Sequence, residues 1–169
     1  MDCWIINNMD ECDKAKTLEP ATSEEIFNEL AEKQKRWGFP RSAKNLEKLK
    51  VGDRIIFRRG KFKKGICHGK NEPKYSTGKN FIATAIIKSE PVLIEEYRRK
   101  NPNIRIIGYP STGIMVVELE NLHRFSNPQG ILADELSIVV NKGKWFSYYQ
   151  GSIIRCPLID CERILKLNQ

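Results

Sequence analysis

Little in this chain points to catalysis. Among 169 residues there are only two histidines, His68 and His123. No Gly-x-Ser-x-Gly, Walker or HExxH pattern occurs, and Gly60, Gly65, Gly69 and Gly78 lack the spacing of a phosphate-cradling loop. Asp134, Glu135 and Asp160 are scattered, without the pairing that metal-assisted phosphodiester cleavage needs. The sequence therefore offers no catalytic residue and reads as a binding protein, with any catalysis in a partner or a further domain. Metal sites are also lacking. Cys67 and His68 are adjacent and Cys156 stands five residues before Cys161, neither of which gives the paired ligand spacing of a zinc site. No metal and no cofactor are assigned.

Other absences bear on location. The five cysteines are odd in number and irregularly spaced, and no basic, apolar leader opens the chain. Those features predict reduced thiols in a soluble cytoplasmic protein. No apolar run approaches the ~20 residues a spanning helix needs, so no membrane partner is expected.

Positive charge is what the chain has in excess. Lys and Arg number 29 against 21 acids, a formal charge of +8. The excess is clustered. Between Arg54 and Lys79 stand Arg58, Arg59, Lys61, Lys63, Lys64, Lys70 and Lys74, with Glu72 the only acid, whereas the stretch from Glu19 to Glu32 is acidic. A one-sided field of this kind steers polyanions, and each neutralised phosphate releases counterions. Nucleic acid is the expected partner, with Arg58, Arg59, Lys61, Lys63, Lys64 and Lys79 as phosphate contacts.

The apolar pattern predicts strands with short helices between them. Trp4 to Ile6 reads as a first strand, ended by Asn7 and Asn8. Thr22 or Ser23 caps a helix whose apolar face is Ile26, Phe27, Leu30 and Ala31 and which ends near Lys35. Leu46 to Leu49 makes a helical turn, and strands follow at Arg54–Arg58, Phe81–Ile87, Ile104–Ile107 and Ile114–Leu119. Pro91 opens a short helix through Tyr97, Ile131 to Leu136 makes another, and Leu158 to Leu167 closes the chain as a helix. Residues 60–79 show no apolar periodicity and read as a long basic loop. The order lacks regular strand–helix–strand alternation, so an α+β curled sheet or partly open barrel is expected, as one domain over residues 1–169 with a basic insertion at about 60–79.

The aromatic residues add a second theme. Trp37 beside Gly38, outside the helix, is expected to present its ring with little cover. Lys144 to Gly151 is the densest aromatic patch, with Trp145 and Tyr148. Either ring group suits stacking on a base, worth ~1–3 kcal/mol per base. Asn7 carries a donor and an acceptor suited to the edge of a base. For each, a core ring or a turn-forming amide is the plainer alternative.

Taken in order, Trp4-Ile5-Ile6-Asn7, the helix, Trp37-Gly38-Phe39-Pro40, Leu49-Lys50-Val51-Gly52-Asp53 with its strand, and Ile82 to Pro91 resemble the EVE domain family. EVE domains are PUA-like and similar to YTH readers of methylated adenine. The stretch from Lys144 to Ile154 also resembles their closing segment. The resemblance implies a PUA-like (EVE/YTH-like) curled mixed β-barrel with short flanking helices. It further implies a pocket for a modified, methylated base flipped out of DNA. Trp37 would be a pocket wall with Phe39 beside it, Gly38 a backbone contact, and Asn7 or Asn8 the edge reader. Tyr97, Trp145 and Tyr148 would complete the walls, Tyr97 standing where YTH readers carry a second tryptophan. Such domains also occur as N-terminal specificity modules of Mcr-type modification-dependent restriction systems, which would make a fused or partner NTPase or nuclease the effector. The alternative is an RNA-binding PUA-like module in RNA modification or translation.

Overall fold

The computed structural model describes residues 1–8, 23–59, 78–104, 112–151 and 153–169. Among the described residues seven strands make one sheet: β1 (Cys3–Asn8), β2 (Arg36–Pro40), β3 (Arg54–Arg59), β4 (Phe81–Ile87), β5 (Val92–Leu93), β6 (Ile114–Arg124) and β7 (Ile153–Cys156). The order is β2-β6-β4-β3-β1-β7, with β5 also on β6. The expected strand from Ile104 to Ile107 lies, but for Ile104, outside the described residues, as does most of the expected basic loop.

Curling follows from β6. Its first half, Ile114 to Glu118, pairs with β2, whereas Leu119 to Arg124 pairs with β4. Asn121 takes a left-handed φ of 51° in that second half, and the β4–β6 register shifts between Thr84 and Ile86. A shift of register bends and twists a strand, which turns one sheet toward a barrel. β1 and β3 run parallel, and between them in the chain stand the first helix and β2.

Among the described residues three helices flank the sheet. The first, α1 (Ser23–Ile26), has Glu24 and Glu25 in its first turn, where carboxylates favour the dipole, and then widens into a π-helical stretch, Phe27–Lys33. The amide of Gln34 reaches back five residues to the carbonyl of Glu29 at 3.2 Å. α2 spans Ile94–Lys100 and α3 Leu158–Leu167. Short 3-10 turns stand at Leu46–Lys48, Ala133–Glu135 and Lys142–Tyr149.

Strand alternation divides the interior into two cores. Trp4, Ile6, Ile55 and Phe57 face one, with Phe27, Leu30, Trp37 and Phe39. Cys3, Ile5, Ile56 and Phe81 face the other, with Tyr149, Cys161 and Ile164. The Trp4 indole donates to Asp53 Oδ2 at 2.9 Å, and Asp53 also accepts the amides of Asp2 and Lys50. That buried carboxylate fixes the turn into β3. The expectation of free thiols throughout is corrected at two positions. Cys3 and Cys161 form a disulfide with Cα atoms 6.4 Å apart, because the sheet brings β1 under α3 across a sequence separation of 158 residues. Spacing along the chain carries no trace of such a long-range meeting. Cys156 is a free, buried thiol, and Cys12 and Cys67 lie outside the described residues.

Candidate nucleic-acid interface

The functional side chains gather where β1 and β3 end side by side. Asn7 stands in register with Arg58, and Asn8 with Arg59. Side chains of adjacent strand residues point to opposite faces, so Arg58 and Arg59 serve different sites.

On the Arg59 side, the guanidinium pairs with Glu24 of α1. Arg124, at the end of β6, pairs with the same Glu24 at 2.8 Å and with Glu32, and bonds Asn28. Two arginines thus share Glu24. A cavity of about 590 Å³ opens beside them, lined by Glu24, Arg59, Asn80, Ile82 and the run Arg124 to Gln129. Phe125 supplies an apolar wall and is buried, whereas Ser126, Asn127 and Gln129 are exposed at the mouth. The amide of Asn80 donates to the carbonyl of Pro128 at 3.0 Å and that of Asn127 to Leu167 at 3.2 Å, which holds the mouth to the C-terminal helix. Arg124 also lies over the Phe27 ring at 4.7 Å.

On the Arg58 side, the guanidinium is fully buried and no carboxylate bonds to it among the described residues. Nε donates to Asn7 Oδ1 at 2.7 Å, and Nη1 donates to the carbonyl of Gly78. Nη2 is buried and has no partner among the described residues. The rings of Tyr149 and Trp145 lie 5.1 and 5.9 Å from the guanidinium carbon. Burial pulls the Arg58 pKa down to about 10, while proximity to Tyr149 opposes that fall. The Tyr149 hydroxyl donates to the carbonyl of Ala133 at 2.6 Å, and burial raises its pKa. Lys79 lies 5.5 Å from the Trp145 ring and pairs with Asp134 at 2.7 Å.

The expected pocket residues separate in three dimensions. Trp37 is 1 % exposed, which corrects the expectation of an open ring. It lies within β2, edge-on to Phe57 at 4.8 Å and tilted to Phe27 at 6.5 Å, because strand pairing with β6 draws it into the core. Phe39 is likewise buried, and the backbone of Gly38 lies in the β2–β6 ladder opposite Val116. Tyr97 sits on α2, its hydroxyl donating to Glu118 at 2.9 Å and its ring under Arg36. Burial, then the Glu118 carboxylate, raises its pKa. Asn8 is buried and donates to the carbonyl of Ser23. Asn7 donates to the carbonyls of Tyr149 and Gly151 and accepts from Arg58, so its amide is occupied as a strut rather than open as an edge reader. Trp145 is half-buried over Arg58, and Tyr148 accepts the amide of Asn141. Of the expected phosphate contacts, Arg58 is buried, Arg59 and Lys79 are ion-paired, and Lys61, Lys63 and Lys64 lie outside the described residues.

Arg124, Phe125, Glu24 and Tyr149 were not singled out from the sequence. Tyr149 adjoins Tyr148 in the aromatic patch, so its neighbourhood was visible and only its orientation was not. Arg124 stands 65 positions from Arg59, and the β3–β4 and β4–β6 pairings bring their strand ends together. Among the described residues no group of three or more metal-ligating side chains converges, and no helix is long and apolar enough to cross a membrane.

No protein-family model matches the chain, and no curated protein matches it by sequence. Solved structures do. The structure of human THYN1 in complex with DNA containing 5-methylcytosine superposes with a TM-score of 0.54 at 15 % identity, covering 100 % of this chain and 98 % of that one. The N-terminal domain of Staphylothermus marinus McrB superposes with a TM-score of 0.52 at 12 % identity, covering 97 % and 93 %. The resemblance read from the residues and these two likenesses agree on one architecture, and the chain has the PUA-like, EVE-type fold.

Proposed function

We propose that this protein is a nucleic-acid-binding module that takes a modified, methylated base, flipped out of DNA, into the cavity beside Arg59 and Arg124. The observation that carries the reading is that cavity. Its 590 Å³ falls within the range of about 300–1,000 Å³ for small-ligand sites. It joins an apolar wall, Phe125, to amide groups and to two arginines that share a carboxylate. Amides supply donor and acceptor atoms for a base edge, and the arginines attract the flanking phosphates. Flipping costs a few kcal/mol, which stacking and charge contacts must offset. The net charge of +8 and the basic run from Arg54 to Lys79 favour the polyanion. The fold shared with a protein solved on 5-methylcytosine DNA raises modified DNA above other ligands. In this reading Trp37 acts through the core, holding Phe27 beneath Arg124. The chain works as one intracellular binding domain, and any catalysis belongs to a fused or partner NTPase or nuclease.

The test is competition binding at fixed salt. Duplexes and RNA oligomers would carry 5-methylcytosine, N6-methyladenine or no modification. The expected result is tighter binding of one modified duplex, with the preference reduced in Phe125→Ala. Equal affinity for all duplexes overturns the reading, and a preference for RNA moves the module to RNA metabolism.

A further inference from the structure

The Arg58 corner is not used by the base cavity. It lies on the opposite face of β3, beside the second core. A guanidinium taken wholly out of water is costly unless its charge is compensated and its donors are filled. Among the described residues two donors meet neutral acceptors, Nη2 meets none, and no carboxylate bonds to the group. Of the carboxylates nearby among the described residues, Asp134 holds Lys79 and Asp160 holds Ser137 and Arg163. Neither bonds to Arg58, so among the described residues its positive charge is left uncompensated.

The cover over that charge is slight. Trp145 is half-buried, on a 3-10 stretch whose flanking residues Lys142 to Lys144 and Phe146 to Ser147 are exposed. The backbone departs from helical geometry at Lys144, one residue before the ring. Tyr149 by contrast is anchored through its hydroxyl to Ala133, so the stretch is held at one end. The Trp145 ring thus covers a fixed cation from a stretch exposed on both sides.

We propose that the Arg58–Trp145 corner is a second nucleic-acid contact, a site for one phosphate oxyanion that meets Arg58 Nη2 when the Trp145 ring moves aside. This rests on the reading of the chain as a nucleic-acid-binding module and adds a contact that the base cavity does not make. Asn7 is a positioning residue here, since it fixes Arg58 through Nε. The pKa near 10 leaves Arg58 charged at neutral pH. A phosphate satisfies both unmet needs, the missing hydrogen bond and the uncompensated charge, because arginine donates to phosphate oxygens in fork geometry. Free phosphate and a strand phosphodiester share this chemistry.

Intrinsic fluorescence tests the proposal. Trp4 and Trp37 are buried, so Trp145 is the tryptophan whose emission reports the corner. The probes are inorganic phosphate and a short unmodified single-stranded oligodeoxynucleotide. A saturable change in emission with either probe, lost in Trp145→Phe, supports the site. A response to both defines a general phosphate site, and a response to the oligonucleotide alone defines a strand site. Arg58→Lys, checked for folding by its melting curve, is expected to weaken oligonucleotide binding at least about tenfold, the scale of one charge-assisted hydrogen bond. Arg124→Gln is expected to keep the Trp145 response while disturbing the base cavity, which separates the two sites. No emission change with either probe, or unchanged affinity in a folded Arg58→Lys protein, overturns the proposal. Loss of the modified-base preference with the Trp145 response intact counts against the base cavity alone.

Discussion

Arg58 and Arg59 are neighbours on one strand and meet opposite fates. Arg59 reaches a half-exposed carboxylate on α1 and forms part of a wet, charged network with Arg124. Arg58 turns into the interior, where rings and carbonyls surround it and its pKa falls to about 10. The two faces of β3 therefore hold the same side chain in two dielectric settings. Where water remains, a cation is cheap and its partners are exchangeable. Where water is excluded, each hydrogen bond is structural, and a missing one is costly.

Substitutions can break this contrast. The largest effect is expected from Asn7→Ala on the dry face. It strands Arg58 Nε and the carbonyls of Tyr149 and Gly151, and about 2–3 kcal/mol of stability should be lost, read as a lower urea midpoint. A loss under about 1 kcal/mol would show that water reaches Arg58 and that the two faces are alike.

Alkaline titration sharpens the same face. Burial first, and the Asp160 carboxylate second, push the Cys156 thiol up to about 12 from an ordinary value of 9. The folded state then holds a proton that the unfolded state releases. The stabilisation is complete below pH 9 and is lost as pH rises toward 12. Cys156→Ala should flatten that decline in melting temperature between those limits, and an unchanged slope would place water beside the thiol.

On the wet face the effects fall on binding rather than folding. Arg124→Gln should weaken DNA binding several-fold and reduce the salt slope by about 1, with a stability change under about 1 kcal/mol because the side chain is 39 % exposed. Titrations of duplex DNA at several salt concentrations decide it, and an unaltered slope would remove Arg124 from the interface. The smallest effect has the opposite sign. Glu24→Gln frees two arginines from a shared carboxylate, so affinity for unmodified duplex should rise about two- to threefold. A fall would mean that Glu24 holds the arginines in their binding positions.

Much of the fold was legible. The strands at β1, β3 and β4, the closing helix and a curled sheet followed from apolar runs, glycines and prolines, because those signals are local, and the PUA-like type followed from the resemblance to EVE domains. The candidate site was less legible. Trp37 beside glycine read as an open ring, but β2 carries it into the core against Phe57. Asn7 read as free to meet a base, yet three groups occupy it from β3 and from residues far along the chain. Arg58 and Arg59 read alike in a basic run, because a charge count does not record which face of a strand a residue takes.

The sequence by itself determined most of the strands and the closing helix, the positive excess and the absence of recognisable catalytic or metal-binding motifs, since composition and short-range pattern decide these. Only the tertiary structure decided which face each arginine serves, that Arg124 joins Arg59 at a cavity, and that Cys3 meets Cys161. Those outcomes depend on strand register and on contacts between distant segments. A one-residue step along a strand reverses a side chain from water to core.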